Sequence, residues 1–344
     1  MRKLLNTLYI TNPNAYLSND LENIVVSSDG KEIGRFPFHN IDSIVTVGYR
    51  GASPKLMENC AEHNISLVFL SANGKFLGKY IGPLYGNVIL RKQQYNYSED
   101  QSLCVSYAKS FIIAKIYNSK WVLQRAVRDY PLRVDIDKLK YVSSLMDVSI
   151  KELLNDIDNI DSLRGIEGKT AVQYFGAFNE LILQQKEDFK FVSRSRRPPK
   201  DELNAMLSFA YSLLESMCTS ALEAVGLDPY VGFMHTIRPG RHSLSLDLME
   251  ELRSVFADRF VITLINKKII TKKDFLKEED GAVILNDNGR KTFITEWQKR
   301  KLEIITHPFL AEKVEWGIVP YVQALLLART IRGDIDVYPP FLWK

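Results

Sequence analysis

A change of pattern near residue 95 constrains this chain more than any other feature. Before it, short apolar runs alternate with turn residues; beyond it, long segments repeat apolar residues at helical spacing. Leu4–Thr11, Asn23–Val26, Ile41–Val47, Ser66–Leu70 and Phe76–Ile81 read as strands. Asn12-Pro13-Asn14, Ser28-Asp29-Gly30 and Ala72-Asn73-Gly74 separate them. Asp29-Gly30 and Asn73-Gly74 suit hairpin turns because such residues tolerate positive φ. One helix interrupts at Pro54–His63, with Leu56, Cys60 and Ala61 on one face. Beyond the change, helices are predicted over Leu103–Asp129, Asp137–Leu145, Ser149–Ile157, Asp161–Gln185, Asp201–Val225, Leu244–Ile265 and Ala311–Ile331. Asp161-Ser162 and Asp201 are plausible N-caps. The polar stretch Lys267–Arg290 looks like a short insertion between helices. The expectation is an α+β chain. A small N-terminal β-sandwich-like domain covers 1–95, a linker 96–101, and a larger all-α domain 102–344.

Composition supports a soluble folded protein and excludes little else. With 344 residues the chain has room for about two domains. Its net charge of +4 arises from 45 basic and 41 acidic residues, so any anion-binding surface must come from local clustering. Cys60, Cys104 and Cys218 form no CxxC pair, which disfavours a zinc ribbon and suits a reducing cytoplasm. The N-terminus does not read as a signal peptide, and Ile318–Ile331 is too short to span a bilayer. A cytoplasmic location with no membrane association is expected. The motifs GxxxxGK[ST], GxSxG and HExxH are absent, leaving P-loop, serine-triad and zincin chemistry without local support.

Three segments concentrate the groups that could do chemistry. In GLDPYVGFMHTIRPGRHSLSLDLMEELR, a helix ends at Gly226 and a loop follows with His235, Arg238 and Arg241. A helix then begins near Leu244. At about 100° per residue, Asp247, Glu250 and Glu251 share one arc and Leu248, Leu252 and Val255 lie away from it. That acidic arc could equally be a solvated face favoured by the helix dipole. In LRGIEGKTAVQYF, Gly165 and Gly168 flank Glu167. Each glycine costs a helix about 1 kcal/mol, which suggests close approach of another backbone. Glu167 would then need a base, a donor, a metal or an arginine partner. In SRSRRPPKDELNAML, Arg194, Arg196, Arg197 and Lys200 crowd a proline-stiffened entry to a helix. They match phosphate geometry, or else form a solvated basic loop.

These segments carry a family resemblance. With LLNTLYITNPNAYLS, GRFPFHNIDSIVTVGYRGASPKLMENCAEHNISLVFLSANGKFLG and the terminal HPFLAEKV…YPPFLWK, the chain resembles, essentially end to end, the CRISPR-associated integrase of spacer acquisition. This is the larger of the two universal adaptation proteins, and the wording is close to that of type I-C systems. The resemblance implies an N-terminal β domain used for dimerisation, joined to a helical catalytic domain that binds metal and DNA. It also implies a single-metal site of Glu167, His235 and Glu250, with Asp247 in support and Glu251 the competing choice for the third ligand.

Two carboxylates and one imidazole suit Mg²⁺ or Mn²⁺, which would activate a phosphodiester toward attack by a DNA 3′-hydroxyl or water. A neutral imidazole is needed as ligand, so activity is expected to fall at low pH. Arg238 and Arg241 would hold the phosphate, with Arg194, Arg196 and Arg197 as further DNA contacts. Implied partners are double-stranded and branched DNA, a second copy in a homodimer, the small companion adaptation protein and a CRISPR-associated processing nuclease. The competing expectations are a non-catalytic DNA-binding scaffold and a small-molecule phosphoesterase using the same metal site.

Overall fold

The structure is a computed structural model that describes residues 7–10, 12–41, 43–47, 51–63, 65–70, 76–80, 82, 88–155, 157 and 159–344. The expected Asn73-Gly74 turn lies outside the described residues, as do Leu4–Asn6, Thr11, Asp42 and Ile81 of the expected strands.

The N-terminal part holds two sheets. In the first, β1 (Thr7–Ile10) pairs parallel with β5 (Ser43–Val47), β5 parallel with β6 (Ser66–Leu70), and β6 antiparallel with β7 (Phe76–Tyr80). The second is an antiparallel meander of β2 (Ala15–Asp20), β3 (Asn23–Ser28) and β4 (Lys31–Pro37). Asp29 and Gly30 turn β3 into β4 with φ of 51° and 76°, the positive values a two-residue hairpin needs. The parallel β5–β6 pair requires a crossover, supplied by α1 (Pro54–Glu62). Its cap Ser53 accepts a hydrogen bond from Leu56 N at 3.1 Å, and Pro54 opens the first turn. Leu56 and Cys60 are fully buried, as their spacing predicts.

Neighbouring residues of β5 and β6 face different cores. Ile44 and Leu67 join a cluster with Leu17, Ile24, Val26 and Leu56, shared by both sheets and α1. Val45 and Val68 join the large cluster of the helical part. A strand buried on both faces needs adjacent apolar residues, which Ile44-Val45 in β5 and Leu67-Val68 in β6 provide. The first sheet is therefore the layer between the meander and the helices.

The helices are α2 (Val88–Glu99), α3 (Gln101–Asp129), α4 (Ile136–Leu154), α5 (Ile160–Gly176), α6 (Glu202–Ala224), α7 (Ser243–Glu250), α8 (Arg259–Asn266), α9 (Asp287–Leu302) and α10 (Val319–Ile331). Helical structure thus begins before the expected change of pattern, and residues 96–99 are helical rather than extended linker. Asp100 alone separates α2 from α3, and its carboxylate caps α3 at Ser102 N and Leu103 N. The two helices expected across 137–157 are one, α4, because Met146 and Ser149 keep a single buried stripe through the junction. The helix expected over Leu244–Ile265 is interrupted by a π-helical turn at Arg253–Asp258. The helical part also carries two short antiparallel pairs, β8 (Phe275–Lys277) with β9 (Val283–Leu285) and β10 (Ile304–Thr306) with β11 (Lys313–Glu315). The first lies inside the stretch expected as an insertion. Among the described residues, no helix is long and apolar enough to cross a membrane.

Candidate active site

Four elements build the site: α3, α5, the loop before α7, and α7 with its π-helical continuation. The acidic arc of α7 is not a solvated face. Asp247, Glu250 and Glu251 are all buried, at 0%, 2% and 0% exposure. Burying three carboxylates demands a partner for each, and the three find different ones.

Asp247 organises the preceding loop. Its carboxylate accepts backbone N–H bonds from Phe233 (2.7 Å), Met234 (3.0 Å) and His235 (2.9 Å), and lies 2.6 Å from His235 Nδ1. The imidazole is thereby fixed through one nitrogen, leaving Nε2 as the nitrogen for a ligand. The loop approaches so closely that a Cβ on Gly232 would fall 2.6 Å from Asp247 Oδ2 and 2.7 Å from the Ser243 carbonyl carbon. Glycine is required there.

Glu167 of α5 and Glu250 of α7 meet at one ammonium. Lys115 of α3 donates a hydrogen bond to Glu167 Oε1 and stands 2.8 Å from Glu250 Oε2. Arg253 forms an ion pair with Glu250 Oε1 at 3.1 Å. Burial opposes ionisation of Glu250, but Arg253, Lys115 and His235 outweigh it and hold the carboxyl down at about 2. At Glu250 Oε2 the only partner among the described residues is the Lys115 ammonium. Two carboxylates and an imidazole nitrogen, with a cation already standing between the two acids, fit a divalent cation of the Mg²⁺ or Mn²⁺ kind. Among the described residues, no three acidic, histidine or cysteine groups already converge on a single point. The acids close on Lys115 instead.

Glu251 turns the other way. It accepts from the Tyr338 hydroxyl (2.6 Å), Gln323 Nε2 (2.8 Å) and Phe341 N (2.8 Å), fastening the C-terminal tail to the core. Burial pushes its carboxyl up to about 7 against those three donors. At the far end of the π-helical turn, Asp258 accepts from Tyr211 (2.6 Å) and Tyr174 (3.1 Å). Lys115, Glu167, Tyr174, Arg196, Tyr211, Arg253 and Asp258 line one cleft beside the acids.

The arginines divide. Arg194 is committed internally: it donates to Asn204 Oδ1 (2.6 Å), the Ser195 carbonyl (2.6 Å) and Ser208 Oγ (3.1 Å), and its guanidinium lies 5.4 Å from the Tyr211 ring. Three of its five N–H donors are thus engaged within the chain, which leaves less of it for the expected phosphate contact. Arg196, Arg197 and Arg238 are exposed and Arg241 is half-buried. Burial, then the like charges of Arg238, Arg164 and Arg197, push the Arg241 guanidinium down from its ordinary range. Such a cluster is stabilised by an anion. Arg164 also ties α5 to the loop, donating to the Met234 carbonyl at 2.5 Å and to Thr236 Oγ1 at 3.2 Å.

The glycine expectation is overturned. A Cβ on Gly165 or Gly168 would meet nothing within 4 Å, so among the described residues no other backbone packs against them. The close approach is at Gly232. Lys115 and Arg253 went unread in the sequence. The available signal was a lysine set among Phe111, Ile112, Ala114 and Ile116, all buried on α3.

The profile of the CRISPR associated protein Cas1 family matches residues 8–299. The chain belongs to this family. It is 46% identical over 347 residues to CRISPR-associated endonuclease Cas1 2 of Rhodospirillum rubrum, covering 100% of both chains. It is 45% identical over 344 residues to CRISPR-associated endonuclease Cas1 1 of Chlorobaculum tepidum, again covering 100% of both. A 33% identical relative in Geobacter sulfurreducens is a Cas4 exonuclease/Cas1 endonuclease fusion, matched over 98% of this chain and 60% of the fusion. Among solved structures, a casposase bound to integration product superposes with a TM-score of 0.84 at 27% identity, covering 98% of this chain and 93% of that one. A Cas6-RT-Cas1–Cas2 complex gives a TM-score of 0.84 at 21% identity, covering 100% of this chain and 36% of that one. At that identity it supports the Cas1 fold alone.

Proposed function

We propose that the chain is a divalent-metal-dependent DNA endonuclease and integrase. In this reading it inserts DNA segments into a CRISPR array through attack of a DNA 3′-hydroxyl on a repeat phosphodiester. The observation that carries the reading is the meeting of Glu167 and Glu250, from separate helices, at one cation beside an imidazole fixed by Asp247. The endonuclease names of full-length relatives and the similarity to a casposase bound to integration product support it.

Glu167, Glu250 and His235 Nε2 would hold Mn²⁺ or Mg²⁺, and Asp247 would keep His235 aimed. The bound cation would supply Lewis-acid polarisation of the phosphodiester. Arg196, Arg197, Arg238 and Arg241 would bind phosphates of double-stranded or branched DNA. Arg194 acts structurally. No serine, cysteine or tyrosine nucleophile is required. The reading extends to a homodimer formed through the β region of residues 1–95, with residues 102–344 as the catalytic part. It also includes a complex with the small companion adaptation protein and cooperation with a processing nuclease. The Cas4 exonuclease/Cas1 endonuclease fusion among the relatives is consistent with the nuclease partner.

The test is strand transfer of labelled DNA ends into a repeat-containing duplex with Mn²⁺. Glu167→Ala is expected to lower the rate by at least about a thousandfold, the scale of several kcal/mol of lost metal catalysis. DNA binding by the same variant should stay within about threefold of wild type. Undiminished transfer by Glu167→Ala overturns the assignment.

A further inference from the structure

Two carboxylates brought together in a buried place repel each other, and something must hold them before any metal arrives. In this structure that role falls to Lys115. The residue lies on the inner side of α3, with buried Ala114 and Ile116 as its neighbours in sequence. Its ammonium serves both acids. The contact with Glu167 is a directed hydrogen bond. The contact with Glu250 Oε2 is an ion pair at 2.8 Å, while Arg253 keeps the other oxygen. One ammonium thus satisfies both acids, and another cation in the same place can do so too.

We infer that Lys115 is a positioning residue whose ammonium occupies the cation position between Glu167 and Glu250, and that a divalent metal loads by displacing it. The inference rests on the metal-site reading above. A lysine suits the role because it is a compact charge on a flexible stem, whereas a guanidinium would lock two carboxylates in planar, bidentate fashion. The cleft beside it offers the displaced ammonium a place, lined by Thr170, Tyr174, Arg196 and Tyr211. Displacement would carry a positive charge toward Arg196, on the side proposed for DNA phosphates. The ammonium therefore preorganises the acids at the expense of metal affinity. If the lysine-bridged arrangement outweighs the open one by about ten to one, the apparent Kd for metal is weakened about tenfold.

The experiment compares metal-stripped full-length wild type, Lys115→Met, Lys115→Arg and Glu167→Gln at one pH and salt concentration. Mn²⁺ binding is measured by calorimetry, and melting temperatures are taken with and without Mn²⁺. Lys115→Met is expected to melt lower than wild type without metal, to bind Mn²⁺ about tenfold tighter, and to gain more in melting temperature on loading. Lys115→Arg should bind Mn²⁺ more weakly than wild type. Equal or weaker Mn²⁺ binding by Lys115→Met, with binding still abolished in Glu167→Gln, overturns the role of Lys115 and leaves the metal site standing. Wild type that binds no Mn²⁺, or binding indifferent to Glu167→Gln, overturns both. Should Lys115→Met not fold, Lys115→Arg decides: affinity equal to or tighter than wild type sinks the inference.

Discussion

The π-helical turn Arg253–Asp258 has a buried carboxylate at each end, and the two behave oppositely. Glu250, just before the turn, sits among Arg253, Lys115 and His235, which hold it ionised despite burial, at about 2. Asp258, at its close, sits between the hydroxyls of Tyr174 and Tyr211, and burial prevails, pushing it up to about 6. Both are essentially inaccessible to solvent, at 2% and 1% exposure. Burial alone therefore does not set the outcome; cations in direct contact do, since Arg253 and Arg194 act on Asp258 only from beyond ion-pair distance. Glu251 makes the same point one residue along, since its partners are a phenol, an amide and a backbone N–H. The cation-held carboxylate faces the candidate metal position, and the dipole-held ones tie the fold around it.

The largest test of that contrast sets Glu250→Gln against Glu251→Gln. The first is expected to lower Mn²⁺-dependent strand transfer by at least about a thousandfold while the protein stays folded. The second should leave Mn²⁺ affinity within a few-fold and lower stability by about 1–3 kcal/mol, because its amide puts donors against donors in the tail latch. Equal losses of metal binding in both variants would erase the distinction.

The next concerns pH. Asp258 has a folded-state pKa of about 6 against an ordinary 3.8. The neutral form is the one favoured in the fold, so its contribution is fully present below about 3.8 and lost as pH rises through about 6. Wild type should thus lose on the order of 2–3 kcal/mol between those limits relative to Asp258→Asn. Urea melts of the two proteins across that window check it, and parallel profiles refute it.

A smaller effect is expected from Asp247→Asn, which exchanges an acceptor of three N–H groups for a side chain with its own donors. Metal affinity should fall by about 10–100-fold, as for other residues that orient a ligand. Calorimetry reads this directly. The smallest effects separate the arginines. Arg238→Ala and Arg241→Ala should each reduce the log–log salt slope of DNA binding by about 1. Arg194→Ala should leave that slope alone and lower the melting temperature instead. A reduced slope in Arg194→Ala would return that residue to the DNA surface.

Much of the architecture was legible because local chemistry and long-range packing agree. Asp29-Gly30 makes its hairpin, Asp201 caps α6 by accepting from Asn204 N at 2.7 Å, and Gly226 follows α6 at a φ of 86°. Reading failed where packing overrode local pattern. The strands β2 and β4 lack a strong apolar run, and the π-helical turn has no sequence punctuation. The open faces of Gly165 and Gly168 contradict what helix cost alone suggests.

The sequence by itself determined the plan of strands first and helices after, the family resemblance and the candidate set Glu167, His235 and Glu250 that it implies. Spacing, cap chemistry and motif wording are local properties that survive without coordinates. Only the tertiary structure decided between Glu250 and Glu251 in orientation, turned Arg194 inward, and brought Lys115 to the acids across 52 residues from Glu167. Adjacent helical residues point about 100° apart. Which of them meets a cation and which meets the tail depends on what packs on each side, and no single segment encodes that.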